Sequence, residues 1–254
     1  MRSLKIAAAL LALSSALSAV VAAQPPANLS AAVASPGRTP DNVQLDDSRK
    51  PAEVLRFLGL RSGMNVIDIF GANKYWAEIM ASAVGPKGRV IVWEASQFYD
   101  AESKKAFEEF AAKNPNVSIV STPFEALSLP KNSADLVMLN LNYHDVYWES
   151  KKYGVPKMDP TAFLKAVYAA MKPGAVIGVI DHVANPNADT RGTVDKLHRI
   201  DPNVVKADFQ RAGFKLVGTS DILRNPADDH NLLVFDPKVK GKTDRFIFKF
   251  QKPA

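Results

Sequence analysis

The stretch from Met64 to Glu94 constrains the fold more than any other part of the chain. Met64-Asn65-Val66-Ile67-Asp68-Ile69-Phe70-Gly71 is a short apolar run that closes on an acid and a glycine. Trp76, Ile79, Met80 and Ala83 follow at helical spacing and make one apolar face. Gly85-Pro86-Lys87-Gly88 turns the chain, and Arg89-Val90-Ile91-Val92-Trp93 is a second apolar run ending at Glu94. Two short buried strands joined by a helix form a parallel pair with a right-handed crossover. In such sheets ligands bind outside the carboxyl ends of the strands. Asp68, Gly71 and Glu94 fall there. An acid at the second tip is placed to accept hydrogen bonds from a ribose diol.

The alternation continues. The sequence predicts a helix from Glu102 to Ala112 with Phe107 and Phe110 inward, then strands from Val117 to Ser121 and from Ala134 to Asn140. A helix from Thr161 to Met171 and a turn at Lys172-Pro173-Gly174 lead into an apolar strand beginning at Ala175. Asp201-Pro202 reads as a helix cap and first turn. A strand near Phe214 follows, and Phe246, Phe248 and Phe250 alternate with polar neighbours in a closing antiparallel strand from Asp244 to Gln251. The expectation is an α/β fold: one seven-stranded, mostly parallel sheet with helices on both faces, spanning residues 45–254.

Residues 1–23 read as a signal peptide. Arg2 and Lys5 precede an uncharged apolar segment, and Val21-Ala22-Ala23 offers small residues before Gln24. Nothing basic follows Ala23 until Arg38, which favours cleavage over a permanent anchor and implies a periplasmic or secreted protein. Residues 24–44, rich in Pro, Ala and Ser, read as a flexible leader. Arg49 is expected in a surface ion pair with Asp46 or Asp47. The chain has no cysteine, which removes disulfides and thiolate chemistry. Its formal charge of +6 drops by two without Arg2 and Lys5, and the basic residues are scattered, so no nucleic-acid face is expected.

On these motifs the chain resembles the class I S-adenosylmethionine-dependent methyltransferases, and as a whole it looks like their secreted "predicted methyltransferase" branch. The resemblance runs roughly from Ser48 to Lys252. It implies S-adenosylmethionine as cofactor, Glu94 on the ribose, and Asp68 with Gly71 at the methionine end. Thr122 stands where many members place an acid for the adenine amino group, and Asn140 lies at the strand tip that faces the transferred methyl. The turn departs from the family: Gly71-Ala72-Asn73-Lys74 has one glycine where two or three are usual, and Lys74 brings a cationic chain near the cofactor position. Asn140-Leu141-Asn142-Tyr143 matches an amino-methyltransferase Asn-Pro-Pro-Tyr motif only at its two ends.

The candidate catalytic residues are His144, Asp181, His182 and His198. All four histidines, His230 included, map to one side of the expected sheet. Imidazole accepts a proton near neutral pH, as methylation of a hydroxyl or a protonated amine requires. No residue is assigned to a metal, because no His-x-x-x-His spacing is present and a site would have to be assembled from distant loops. Three readings follow: a methyltransferase acting on a small molecule or an envelope component, a methyltransferase-like binding protein without turnover, and a metal-assisted enzyme using the strand-tip His/Asp cluster.

Overall fold

A computed structural model describes residues 24–71 and 73–254. The expected signal peptide, residues 1–23, lies outside the described residues, as does Ala72 of the turn.

Seven strands form one sheet: β1 (Asn65–Ile69), β2 (Arg89–Ala95), β3 (Val117–Thr122), β4 (Ala134–Asn140), β5 (Met171–His182), β6 (Lys215–Ser220) and β7 (Arg245–Gln251). Their spatial order is β3-β2-β1-β4-β5-β7-β6. The first five run parallel, and β7 lies antiparallel between β5 and β6. The chain therefore moves outward from β1 through β2 to β3 and returns to β4 on the other side. That reversal opens a crevice at the carboxyl ends of β1 and β4.

Helices α1 (Leu29–Val33), α2 (Pro40–Val43), α3 (Asp46–Arg49) and α4 (Pro51–Leu58) precede β1. After it come α5 (Tyr75–Val84), α6 (Ala101–Lys113), α7 (Pro160–Ala170), α8 (Thr190–Leu197) and α9 (Pro202–Arg211). Asp201 caps α9 as its sequence suggests, accepting from the Asn203 amide with Pro202 in the first turn. Strand residues alternate between two cores. Val66, Val90, Val92, Leu136 and Met138 meet the residues of α1, α4, α5 and α6. Ile67, Ile69, Val137, Leu139, Ile177 and Val179 meet Phe163 and Leu164 of α7 and Phe209 of α9. Each such fully buried side chain contributes about 1.5–3 kcal/mol. A Cβ on Gly178 would stand 2.3 Å from Leu58 Cδ1, so the bare backbone is what lets α4 lie on β5.

Two elements differ from expectation. β5 begins at Met171, so the expected Lys172-Pro173-Gly174 turn lies within the strand. Met171 pairs with Ala134 beside a register shift, and Gly174 donates to the Lys252 carbonyl, so neighbours satisfy the irregular backbone. Residues 24–44, read as a flexible leader, instead carry α1 and α2, and α1 packs on α5. Leu29, Ala32, Arg38 and Asn42 are buried. The Arg38 guanidinium donates to both oxygens of Asp46, at 2.6 and 2.8 Å, and to the Val33 carbonyl at 2.8 Å. The Tyr75 hydroxyl donates to the same carboxylate at 2.7 Å. Composition suggests looseness here, but a bidentate ion pair fixes the segment. Asp46 is thereby taken up by Arg38 rather than Arg49. The Arg49 guanidinium lies over the Tyr75 ring, 4.3 Å from its centroid.

Arg38→Ala is expected to destabilise the protein by about 3 kcal/mol, because Asp46 and Glu78 lose a buried cation. Urea unfolding should show a lower midpoint at unchanged slope. Arg38→Lys, which keeps the charge but not the fork, should recover only part of the loss.

Candidate functional site

A cleft of about 390 Å³ opens at the carboxyl ends of β1, β4 and β5. Asp68, Phe70, Gly71 and Asn73 line one side, with Arg49 and Trp76. Asn140, Leu141, Asn142, His144 and Asp145 line the other, joined by His182, His198, Val234 and Phe235.

The first side is a tight turn. Phe70 and Lys74 have positive φ, and the amides of Phe70 and Gly71 both donate to the Trp93 carbonyl, at 2.9 and 3.3 Å. A Cβ on Gly71 would lie 2.3 Å from Val92 Cγ1, so no other residue fits. The Lys74 amide closes the turn on the Gly71 carbonyl at 2.6 Å. From outside, the Asn42 side chain of α2 donates to the Asn73 carbonyl at 2.8 Å. The Lys74 ammonium stands 5.2 Å from the Phe107 ring centroid and is not on the cleft wall, contrary to the expectation that it would crowd a cofactor.

Two buried carboxylates end β1 and β2. Asp68 Oδ2 and Glu94 Oε2 have no hydrogen-bond partner among the described residues. Glu94 Oε1 accepts from the Ala95 amide at 3.1 Å. Burial pushes Asp68 up to about 7, against the opposing charge of Arg49 and the Ala77 amide. Burial pushes Glu94 up to about 8, the Ala95 amide opposing and the Asp68 charge adding.

On the second side, Asp181 is fully buried. Its Oδ2 accepts the His144 amide at 2.8 Å, and its Oδ1 meets His144 Nδ1 at 2.8 Å and accepts the His182 amide at 2.8 Å. His144 Nε2 lies 3.3 Å from His198 Nδ1 and 3.4 Å from Asp145 Oδ1. Burial opposes charge on His144, but the carboxylates of Asp181 and Asp145 outweigh it and lift the group to about 9. His182 meets the Thr243 hydroxyl at 2.7 Å. Burial, with the charges of His144, Arg245, Arg199 and His198, holds His182 well below the ordinary imidazole range, so it stays neutral.

Of the sequence candidates, Asp68, Gly71, Asn140, His144, His182 and His198 line the cleft, with Asp181 behind His144. Glu94 and Thr122 do not line it. The Thr122 hydroxyl instead accepts the Trp93 indole N–H at 2.9 Å. His230 stands apart, bonded to Asp244 and Asn185. Sequence reading weighed Arg49 for a lid over the site but favoured a surface ion pair, and it missed Asn142, Asp145 and Phe235. Asp145 carried a signal, since it adjoins His144 in the densest polar run of the chain. Phe235 carried none, because the segment before β7 has no periodicity.

The raised carboxyls give a pH prediction. The ordinary values are 3.8 for Asp68 and 4.5 for Glu94, and the folded ones about 7 and about 8. Between these values the unfolded chain has shed protons that the folded chain keeps, so rising pH draws the equilibrium toward unfolding. Through these two groups, ligand-free stability is expected to fall from about pH 4 to about pH 8. The fall should flatten in Asp68→Asn/Glu94→Gln, read from chemical unfolding across that range. His144, raised from 6.5 to about 9, loses its own stabilising charge from about pH 6.5 upward in both proteins, so the difference between wild type and the double variant isolates the carboxyls.

No family model matches the chain. The demethylmenaquinone methyltransferases of Listeria welshimeri and Listeria monocytogenes are 25% identical to it over 135 residues, 53% of this chain and 51% of theirs. The chain thus spans about half the length of these curated relatives. Among solved structures, an S-adenosylmethionine-dependent methyltransferase from Aquifex aeolicus superposes with a TM-score of 0.58 at 19% identity, covering 84% of this chain and 94% of that one. The [4+2]-cyclase SpnF superposes at 0.58 and 15% identity, covering 82% and 81%. The strand order, the mostly parallel sheet and these superpositions give the chain a Rossmann-like methyltransferase fold.

Proposed function

We propose that the protein is an exported S-adenosylmethionine-dependent methyltransferase acting on a small molecule or an envelope component. The carrying observation is a pair of buried carboxylate oxygens without partners at the ends of adjacent strands: Asp68 Oδ2, beside a glycine where a Cβ would clash, and Glu94 Oε2 on β2. Such oxygens cost free energy until a ligand supplies donors. A molecule carrying a ribose diol at one end and an ammonium at the other answers both. Glu94 then accepts from the ribose hydroxyls, and Asp68 with the Gly71 backbone takes the methionine end. Bound there, the cofactor supplies an electrophilic methyl on a sulfonium. Asn140 borders the acceptor half of the cleft. His144, held by Asp181 as the imidazolium, would face the anionic atom left when the acceptor loses its proton, and His198 would take that proton. The apolar side chains of Phe70, Trp76 and Phe235 suit a planar acceptor, the kind for which the Listeria relatives are named.

A second reading, a binding protein of this fold without transfer, is favoured by the single-glycine turn and by the position of Glu94 off the cleft wall.

Calorimetry separates the two. A carboxylate bonding hydroxyls makes charge-assisted contacts worth about 1.5–3 kcal/mol each. Glu94→Ala is expected to weaken cofactor binding about tenfold or more, and Glu94→Gln less. Because Glu94 titrates near 8 in the free protein and binds as the carboxylate, affinity should rise from about pH 6 to about pH 9 and flatten in Glu94→Gln. Absence of binding at millimolar cofactor would retire the methyltransferase reading. Binding without transfer of labelled methyl to any extract component would leave the second. Export is checked by mass spectrometry, which should place the mature N-terminus close to Gln24.

A further inference from the structure

His144, Asp145 and His198 bring one ligand atom each to a common point. His144 and Asp145 follow β4, and His198 ends α8, 54 residues beyond His144. The edges of the triangle are 3.3 Å from His144 Nε2 to His198 Nδ1, 3.4 Å from His144 Nε2 to Asp145 Oδ1, and 3.8 Å from His198 Nδ1 to Asp145 Oδ1. Ligands bound at about 2.0–2.1 Å to a tetrahedral zinc ion are separated by about 3.3 Å. Two edges match that spacing, and the third closes with a small turn of the Asp145 carboxylate.

The groups behind these atoms are those of a built site. Asp181, fully buried, holds His144 Nδ1 at 2.8 Å and the His144 amide at 2.8 Å. With Nδ1 donating to Asp181, Nε2 presents its lone pair to a cation that displaces the Nε2 proton, the carboxylate–histidine–metal arrangement. Asn142 donates to Asp145 Oδ2 at 3.0 Å, which turns Oδ1 toward the imidazoles. His198 adopts a left-handed backbone at φ 50°, and its ring stands 5.6 Å from that of Trp148 and 5.3 Å from that of Phe235. All three ligating residues line the cleft, so the side of the triangle away from Asp181 faces open space.

We propose that His144 Nε2, His198 Nδ1 and Asp145 Oδ1 bind a divalent first-row cation, zinc best by geometry, with a fourth position open to the cleft. Two imidazoles and one carboxylate are a borderline ligand set that suits zinc, iron(II) or manganese over calcium or magnesium. Three protein ligands with a free position characterise catalytic rather than structural zinc. The open position takes water or an anionic oxygen or sulfur of a molecule in the cleft. Occupancy of the site does not depend on methyl transfer, since Asp68 stands on the opposite side of the cleft from the triad and Glu94 lies off the cleft wall.

Purified protein, stripped with chelator and titrated with zinc sulfate by calorimetry, should bind one equivalent with micromolar affinity or better. Cobalt(II) in its place should give the intense visible band of a four-coordinate centre. His198→Asn, chosen because asparagine tolerates the left-handed backbone, and Asp145→Asn, which keeps the partner of Asn142, should each weaken binding at least a hundredfold. Asp181→Asn, which removes no ligand, should weaken it about 10–100-fold. His230→Ala, away from the triad, should leave it unchanged. Circular dichroism confirms that each variant is folded. Zinc binding of equal strength in wild type and in a folded His198→Asn or Asp145→Asn variant would overturn the assignment, as would no uptake by wild type. Cofactor titration of the zinc-free protein keeps this outcome separate from that of the methyltransferase reading.

Discussion

The Asp181 carboxylate ties the tip of β5 to the turn after β4, and the histidine side of the cleft depends on that tie. Its three contacts are of one kind: two backbone amides and one imidazole nitrogen converge on a fully buried anion. A charge in that position is tolerated only because donors surround it. The amide contacts fix the backbone, the imidazole contact fixes a ring, and the ring in turn sets where His198 and Asp145 meet. Asp181 therefore positions His144 from one layer behind the cleft surface.

The opposite side of the cleft follows the reverse logic. Asp68, on the cleft wall, and Glu94, off it, each bury an oxygen that meets no donor among the described residues, a local cost that a bound donor would remove. Evolutionary optimisation for stability alone would replace both with neutral residues. Their presence among the apolar side chains of the sheet is what makes them candidate ligand-binding groups. One side of the cleft is thus satisfied before any ligand arrives, and the other is left incomplete.

Most of the sheet was legible because its period is local. Val66 to Ile69, Val90 to Trp93 and the Phe246, Phe248, Phe250 alternation announce strands within a few residues, and Asp201-Pro202 announces a helix start in two. What was not legible depends on partners far along the chain. Arg38 belongs to a Pro- and Ala-rich stretch, and nothing nearby shows that it will be buried on Asp46 and face Glu78. The start of β5 at Met171 rests on Ala134 and Lys252, which reach it only in three dimensions. Thr122 was assigned by position in the motif, while its hydroxyl was claimed by the Trp93 indole across the strand. The meeting of His144 and His198 has no spacing signature, because two loops on different sides of β5 supply it.

The bond from Asn42 to the Asn73 carbonyl has a practical reach beyond its 2.8 Å. In a glycine-rich turn the loop's own backbone sets its shape, and the unit is portable between proteins. Here part of that shape is imposed by a side chain some thirty positions upstream, in a segment that composition alone assigns to a linker. A domain boundary drawn at Leu45 would cut through the support of the turn it is meant to preserve. Trimming, tagging or grafting at the amino-terminal side is therefore an operation on the wall of the cleft itself, and the smallest transferable unit of this fold begins upstream of its first strand and first long helix.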